Sequence, residues 1–148
     1  MTDASARARY ASVFRPGLFS GQVIVVTGGG SGIGRCTAHE LASLGAKVAL
    51  VGRKGEKLAS VAKEISADVG PGLASEHVCD IRVEEQVKAV ISDILEVHGR
   101  IDGLVNNAGG QFAAPLTDIT QKGWETVVRT NLTGGFLMAR ECYTQWMR

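Results

Sequence analysis

Strand-like runs alternate along this chain with stretches whose apolar residues recur at helical spacing, and that alternation leaves few folds open. The first two runs, Gln22–Thr27 and Lys47–Gly52, are continuous and rich in β-branched residues. Such runs are typical of strands buried on both faces in a parallel sheet. A third strand is expected over Ala74–Cys79 and a fourth over Ile101–Asn106. Between them, Ile33, Thr37, Leu41 and Leu44 mark one helix, closed by Gly45. Leu58, Val61, Ala62 and Ile65 mark a second, followed by the breaker Gly70-Pro71-Gly72. Val87, Val90, Ile91, Ile94 and Leu95 mark a third, ending near Gly99. A last helix is expected from about Trp124 onward, with Val127, Val128, Leu132, Phe136 and Ala139 facing inward. The order β-α-β-α-β-α-β-α predicts an α/β fold, a doubly wound parallel sheet with helices on both faces. Right-handed crossovers restrict its topology further.

Composition narrows the function classes. The 148 residues, 45% of them hydrophobic, are enough for one domain with a sizeable core. A net charge of +1 with dispersed basic residues speaks against nucleic acid or a membrane surface as partner. No apolar run has the length of a membrane span. Cys36, Cys79 and Cys142 are odd in number and far apart, so neither a disulfide framework nor a metal ligand set is indicated. Free thiols fit a reducing compartment, and a cytoplasmic location is expected. Residues 1–20 read as an N-terminal arm. The Ala- and Arg-rich first ten residues also permit a transit peptide, which is the less economical reading. The sequon Asn131-Leu132-Thr133 is read as chance.

Between the first strand and the first helix lies Thr27-Gly28-Gly29-Gly30-Ser31-Gly32-Ile33-Gly34. Gly28 permits a tight turn, Gly32 lets the backbone approach a pyrophosphate, and Gly34 lets the helix pack close to the strand. The helix start offers unpaired N–H groups and a positive dipole end, and Ser31 adds a hydroxyl donor. No Gly-Lys-Ser/Thr follows, which disfavours a P-loop. Residues 21–148 therefore read as a Rossmann-type dinucleotide-binding domain.

The spacing Thr-Gly-x-x-x-Gly-x-Gly, taken with Asn106-Asn107-Ala108-Gly109 and Asn131-Leu132-Thr133-Gly134, resembles the short-chain dehydrogenase/reductase family. The resemblance runs from about Gly21 to Arg148. It implies that Thr27, Gly28, Ser31, Gly32, Ile33 and Gly34 form the pyrophosphate turn. It implies that Asp80 and Ile81 contact the adenine and that Asn107, Ala108 and Gly109 line the cofactor, with Asn106 supporting the sheet. It also implies that Asn131 belongs to the catalytic tetrad, its backbone carbonyl holding a relay water. The residues themselves leave other roles open. Asp80 can cap a helix, Asn106 and Asn107 can be turn residues, and Asn131 can be a structural amide.

An NAD site usually carries an acidic residue at the end of the second strand, whereas an arginine suits a 2′-phosphate. This chain has Gly52-Arg53-Lys54 there. A guanidinium binds phosphate bidentately, so NADP(H) is favoured over NAD(H), with Arg53 the chief contact and Lys54 assisting. The alternative is that Arg53 is a plain surface charge.

The family's mechanism, as the resemblance implies it, needs a Ser and a Tyr followed four residues later by Lys. Tyr143 is followed at that spacing by Met147, and Tyr10 lies in the arm. The chain is therefore expected to be a fragment, inactive as it stands and truncated after the fourth β-α unit. An exposed fourth-strand edge agrees, since open apolar edges are a liability. A short protein that binds a dinucleotide without chemistry is the competing idea. The run Gly109-Gly110-Gln111-Phe112, with Lys122-Gly123-Trp124 and the Pro16–Gln22 stretch, resembles the trans-2-enoyl-CoA reductase branch of the family. It implies an acyl-CoA-type substrate with an enoyl or 3-oxo group. The alternative is a small lipid-like or terpenoid alcohol or ketone. The resemblance also implies a dimer or tetramer. Tyr143, Trp146 and Met147 suit either such a contact or packing within the chain.

Overall fold

The runs become the strands of one parallel sheet. A computed structural model describes residues 12–148; Tyr10 and residues 1–11 of the expected arm lie outside the described residues. The strands are β1 (Val23–Thr27), β2 (Lys47–Gly52), β3 (Ala74–Val78) and β4 (Gly103–Val105). All neighbours are parallel, in the order β3-β2-β1-β4. Helices α1 (Gly32–Ser43), α2 (Gly55–Asp68) and α3 (Glu84–His98) connect them, and α4 (Gln121–Val128) and α5 (Gly135–Cys142) follow β4. The strand order reverses beside β1, because β2 and β3 lie on one side of it and β4 on the other. Ligands of open α/β sheets bind at such a point, outside the carboxyl ends of the strands.

Alternate side chains of the two central strands feed two cores. Ile24, Val26, Val48 and Leu50 pack with Ala38, Leu41, Leu58 and Ile65 of α1 and α2. Val25, Ala49 and Val51 pack with Val87, Ile91, Ile94, Leu137 and Met138 of α3 and α5. Burying one such aliphatic side chain contributes roughly 1.5–3 kcal/mol. Val25, Val26 and all of Val48–Val51 are fully buried, so β1 and β2 anchor the sheet. Residues just before β1 also lie against α1. The Phe19 N–H donates to the Leu44 carbonyl at 3.0 Å, and the Ser12 hydroxyl donates to Glu40.

Three expectations change. Strand β4 is only Gly103–Val105, because Asp102 accepts the Val23 N–H at 2.8 Å on its carboxylate and Asn106 already leaves the ladder. Ile33 is 79% exposed rather than inward, because α1 begins beyond the end of β1 and no core lies above it. The last helical stretch turns a different face inward. Leu132 and Phe136 are 68% and 58% exposed, and Ala139 is exposed too, while Gly134, Leu137, Met138 and Cys142 are buried. The cause is a π-helical turn over Arg129–Gly134. Its i→i+5 bonding takes in an extra residue and rotates everything beyond it away from the α-helical phase. Gly134 permits the close approach there, since a Cβ would lie 2.7 Å from Ile81 Cδ1.

Where edge strand β3 meets α3, a polar chain replaces apolar packing. His77 Nδ1 lies 2.6 Å from Asp93 Oδ2, His77 Nε2 lies 2.8 Å from Ser75 Oγ, and His98 Nε2 lies 2.7 Å from the same hydroxyl. With His77 Nδ1 donating to the carboxylate, Ser75 donates to His77 Nε2 and His98 donates to Ser75. Burial, then the neighbouring His77 and Lys47, lower the pKa of His98, and Asp93 opposes them weakly. The unfolded chain thus binds this proton first as pH falls, and stability declines from about pH 6.5 downward. We expect the urea midpoint to be level above about pH 7 and to fall toward about pH 5. The fall should be smaller in His98→Gln, whose amide keeps a donor for Ser75.

Candidate functional site

The glycine loop is shaped from both sides. After Thr27 the chain turns through Gly28 at φ +68° and Gly32 at φ +54°, conformations that side-chain-bearing residues rarely adopt. At Gly34 the need is space: a Cβ there would stand 2.3 Å from the Gly28 carbonyl oxygen and 2.5 Å from Asn107 Nδ2. Ser31 is the N-cap of α1 and makes no side-chain cap bond, so its hydroxyl is available at the helix start. The first N–H groups of α1 have no partners within the helix and sit at its positive dipole end.

Beneath the loop, β1 and β4 are laced together. Thr27 Oγ1 donates to the Val105 carbonyl at 3.2 Å and accepts the N–H groups of Asn107 and Ala108 at 3.0 and 2.9 Å. Asn107 Nδ2 donates to the Thr27 carbonyl at 2.9 Å and reaches the Gly28 carbonyl at 3.5 Å. Asn106 Nδ2 donates to the Gly135 carbonyl at 3.0 Å, tying β4 to α5. Asn131 pairs with one backbone unit. Its Oδ1 accepts the Gly110 N–H at 2.9 Å, and its Nδ2 donates to the Gly110 carbonyl at 3.0 Å.

A cavity of about 580 Å³ opens over the carboxyl ends of the strands. Four basic side chains line it (Arg53, Lys54, Lys57 and Arg82) against one carboxylate, Asp80. Arg82 forks onto that carboxylate, Nε to Oδ1 at 2.8 Å and Nη2 to Oδ2 at 2.6 Å. These bonds, with the charges of Arg82 and Arg53, lower the Asp80 pKa to about 2 despite partial burial. Asp80 does not cap α3, whose N-cap is Val83. Burial instead raises the thiol of Cys79, at the cavity floor, to about 11, which leaves it protonated at neutral pH.

A profile of the short chain dehydrogenase family matches residues 22–148. The chain belongs to the short-chain dehydrogenase family. It is 63% identical to the citronellol catabolism dehydrogenase of Pseudomonas aeruginosa PAO1, with a TM-score of 0.87 over 93% of this chain and 56% of that one. A metagenomic short-chain oxidoreductase solved in complex with NADP is 43% identical, with a TM-score of 0.75, over 83% of this chain and 55% of that one. The peroxisomal 2,4-dienoyl-CoA reductase of Danio rerio is 32% identical over 140 residues, 95% of this chain and 46% of that protein. The chain spans about half the length of these relatives.

In this short-chain dehydrogenase the residues expected at the cofactor divide into two groups. Gly28, Ser31, Arg53, Lys54, Asp80, Ile81, Asn107, Ala108 and Gly109 line the cavity. Thr27 is fully buried and supports the loop from below, Gly34 holds α1 against it, and Gly32 shapes the turn. Ile33 is exposed beside them, and Asn131 lies behind the loop, bonded to Gly110. Lys57, Arg82, Thr126 and Thr130 also line the cavity without having been singled out. Arg82 was findable, since it stands two residues beyond Asp80; Thr126 and Thr130 are brought there only by the packing of the last helical stretch.

Asn107 must donate to two carbonyls, which an aspartate cannot do. We expect Asn107→Asp to destabilise the fold by roughly 1–3 kcal/mol. Urea denaturation should show this as a lowered midpoint, and an unchanged midpoint would contradict the bracing role.

Proposed function

We propose that this short-chain dehydrogenase is an NADP(H)-dependent oxidoreductase. The supporting observation is the cluster of Arg53 and Lys54 after β2, Lys57 in the first turn of α2 and Arg82 beyond β3, with no acid at the end of β2, where an NAD site would carry one. The loop fits a dinucleotide. Its glycines allow close approach, and the unpaired N–H groups of Gly32, Ile33 and Gly34 with the Ser31 hydroxyl match a pyrophosphate. Arg53 and Lys54 bind the 2′-phosphate, Asp80 and Ile81 the adenine, and Asn107, Ala108 and Gly109 flank the nicotinamide side. The nicotinamide supplies or accepts the hydride when bound. Asn131 is the residue this reading assigns to the proton relay, and Tyr143 is followed four residues on by Met147 rather than by a lysine. The three free cysteines support a cytoplasmic setting; among the described residues no helix is long and apolar enough to cross a membrane. The exposed Leu132, Phe136 and Trp146 support a dimer or tetramer.

For the substrate, the Gly109–Phe112 run and the likeness to a dienoyl-CoA reductase support reduction of an enoyl- or 3-oxoacyl-CoA. The 63% identity to a citronellol catabolism dehydrogenase favours a second reading, a branched lipid-like or terpenoid alcohol and its carbonyl product.

Two measurements on the protein at its natural length test this. Arg53→Ala should weaken NADPH binding by about 10- to 100-fold, the loss of one or two charge-assisted bonds, and change NADH binding by less than about threefold. Tighter binding of NADH than NADPH by the unmodified protein would overturn the cofactor assignment. Comparing kcat/KM for enoyl-CoA, 3-oxoacyl-CoA and branched terpenoid alcohols then separates the substrate readings. Turnover of none of them would remove both.

A further inference from the structure

A second, smaller pocket of about 230 Å³ lies between the segment after β4 and α4. It adjoins the larger cavity, since Gly110, Thr126 and Thr130 line both. Three threonines stand on its wall, yet each hydroxyl is already engaged. Thr126 Oγ1 donates to the Lys122 carbonyl at 2.8 Å, Thr130 Oγ1 donates to the Thr126 carbonyl at 3.0 Å, and Thr120 Oγ1 accepts the Gly123 N–H at 3.1 Å. With their oxygens turned to the backbone, these residues offer methyl groups beside the Phe112 ring and Val127. The other polar side chains there, Gln111 and Lys122, are exposed. A lysine in such a place lays its stem on apolar surface and keeps its charge in water. Among the described residues no carboxylate lines the pocket.

One wall of this pocket is set by a single close contact. The Phe112 ring lies on Gly123, where a Cβ would stand 2.9 Å from both its Cγ and its Cδ1. Gly123 is buried inside α4, although glycine is a poor helix former. Its lack of a side chain is what seats the ring. Phe112 remains 47% exposed, so part of the ring is free to meet a ligand. An apolar cavity of about 150 Å³ holds a benzene-sized molecule, and about 230 Å³ has room for roughly nine carbons.

We propose that this pocket receives the hydrocarbon end of the substrate, and that Phe112, seated on Gly123, is a specificity-determining residue that limits the length of that end. The inference rests on the lipid-like substrate reading above. The shared lining is what favours a substrate as occupant: a chain lying here leaves its polar end beside Gly110, at the edge of the larger cavity.

The test titrates 1-alkanols, from butanol to undecanol, into the natural-length protein with NADPH present, and reads binding by calorimetry. Affinity should rise about three- to fourfold per added carbon, the gain from burying one methylene, and level off near roughly nine carbons. Phe112→Ala should move that plateau out by about two carbons or more, because the removed ring leaves space. Gly123→Ala keeps the helix, since alanine is the better helix former, but it forces the ring to shift and should move the plateau by about one carbon or more. In the Phe112→Ala background the same change should do nothing, with no ring left to displace. The alkanols should also compete with substrate, raising KM and leaving kcat unchanged. Affinity independent of length, an unmoved plateau in Phe112→Ala, or a Gly123→Ala effect that persists without the ring overturns the proposal. Length-dependent binding without competition against substrate overturns it too, and leaves the substrate reading standing. Turnover of neither an acyl-CoA nor a terpenoid alcohol removes that reading and this inference together.

Discussion

The hydroxyl of Thr27 and the side-chain amide of Asn107 hold the ends of β1 and β4 together where the strand order reverses, and the rest of the site is stacked on that contact. Here one hydroxyl serves three backbone groups of β4 and the turn after it, and one amide reaches back to two carbonyls of β1 and the glycine loop. The loop then lies on a fixed floor. Because Gly34 has no side chain, α1 descends onto that floor and brings its N–H groups to the cavity.

On this base the charges are arranged rather than merely present. The basic groups sit after β2, at the start of α2 and beyond β3, on the far side of β1 from the lacing. The same wall carries an acid that Arg82 keeps ionised. One flank of the cavity is therefore rich in cations, with the Asp80 carboxylate fixed among them. The middle of the cavity offers backbone groups from the glycine loop and from Asn107–Gly109, so shape and hydrogen bonding govern there.

The sheet and its glycine loop could be read from the chain because their signals are local. Short continuous β-branched runs flanked by glycines favour buried strands over helices, and Gly28 and Gly34 stand where any other residue would be strained or would collide. The cavity-lining placement of Arg53, Lys54 and Asp80 followed from the same topology, since they stand at strand ends. The last helical stretch was harder. Its apolar residues keep an α-helical spacing, but the π turn at Arg129–Gly134 shifts the phase, so Leu132 and Phe136 point away from the core their pattern suggests. A wide turn leaves no mark in hydrophobic periodicity. Asn107 was readable as a functional residue but not as a brace, because its partners lie about eighty positions earlier in the chain.

The pairing of Asn131 with Gly110 has a mechanical corollary. Both ends of the amide are engaged by the N–H and the carbonyl of one residue, Gly110, so the segment after β4 is hinged to the helix much as a neighbouring strand would be. That attachment falls inside the π turn, where the helix has a wider bore and its bonding is already displaced. Any settling or straightening of this turn would be transmitted directly to Gly109 and Gly110 at the mouth of the cavity. The irregular turn and the loop thus form a single lever, with the side chain of Asn131 as its pin.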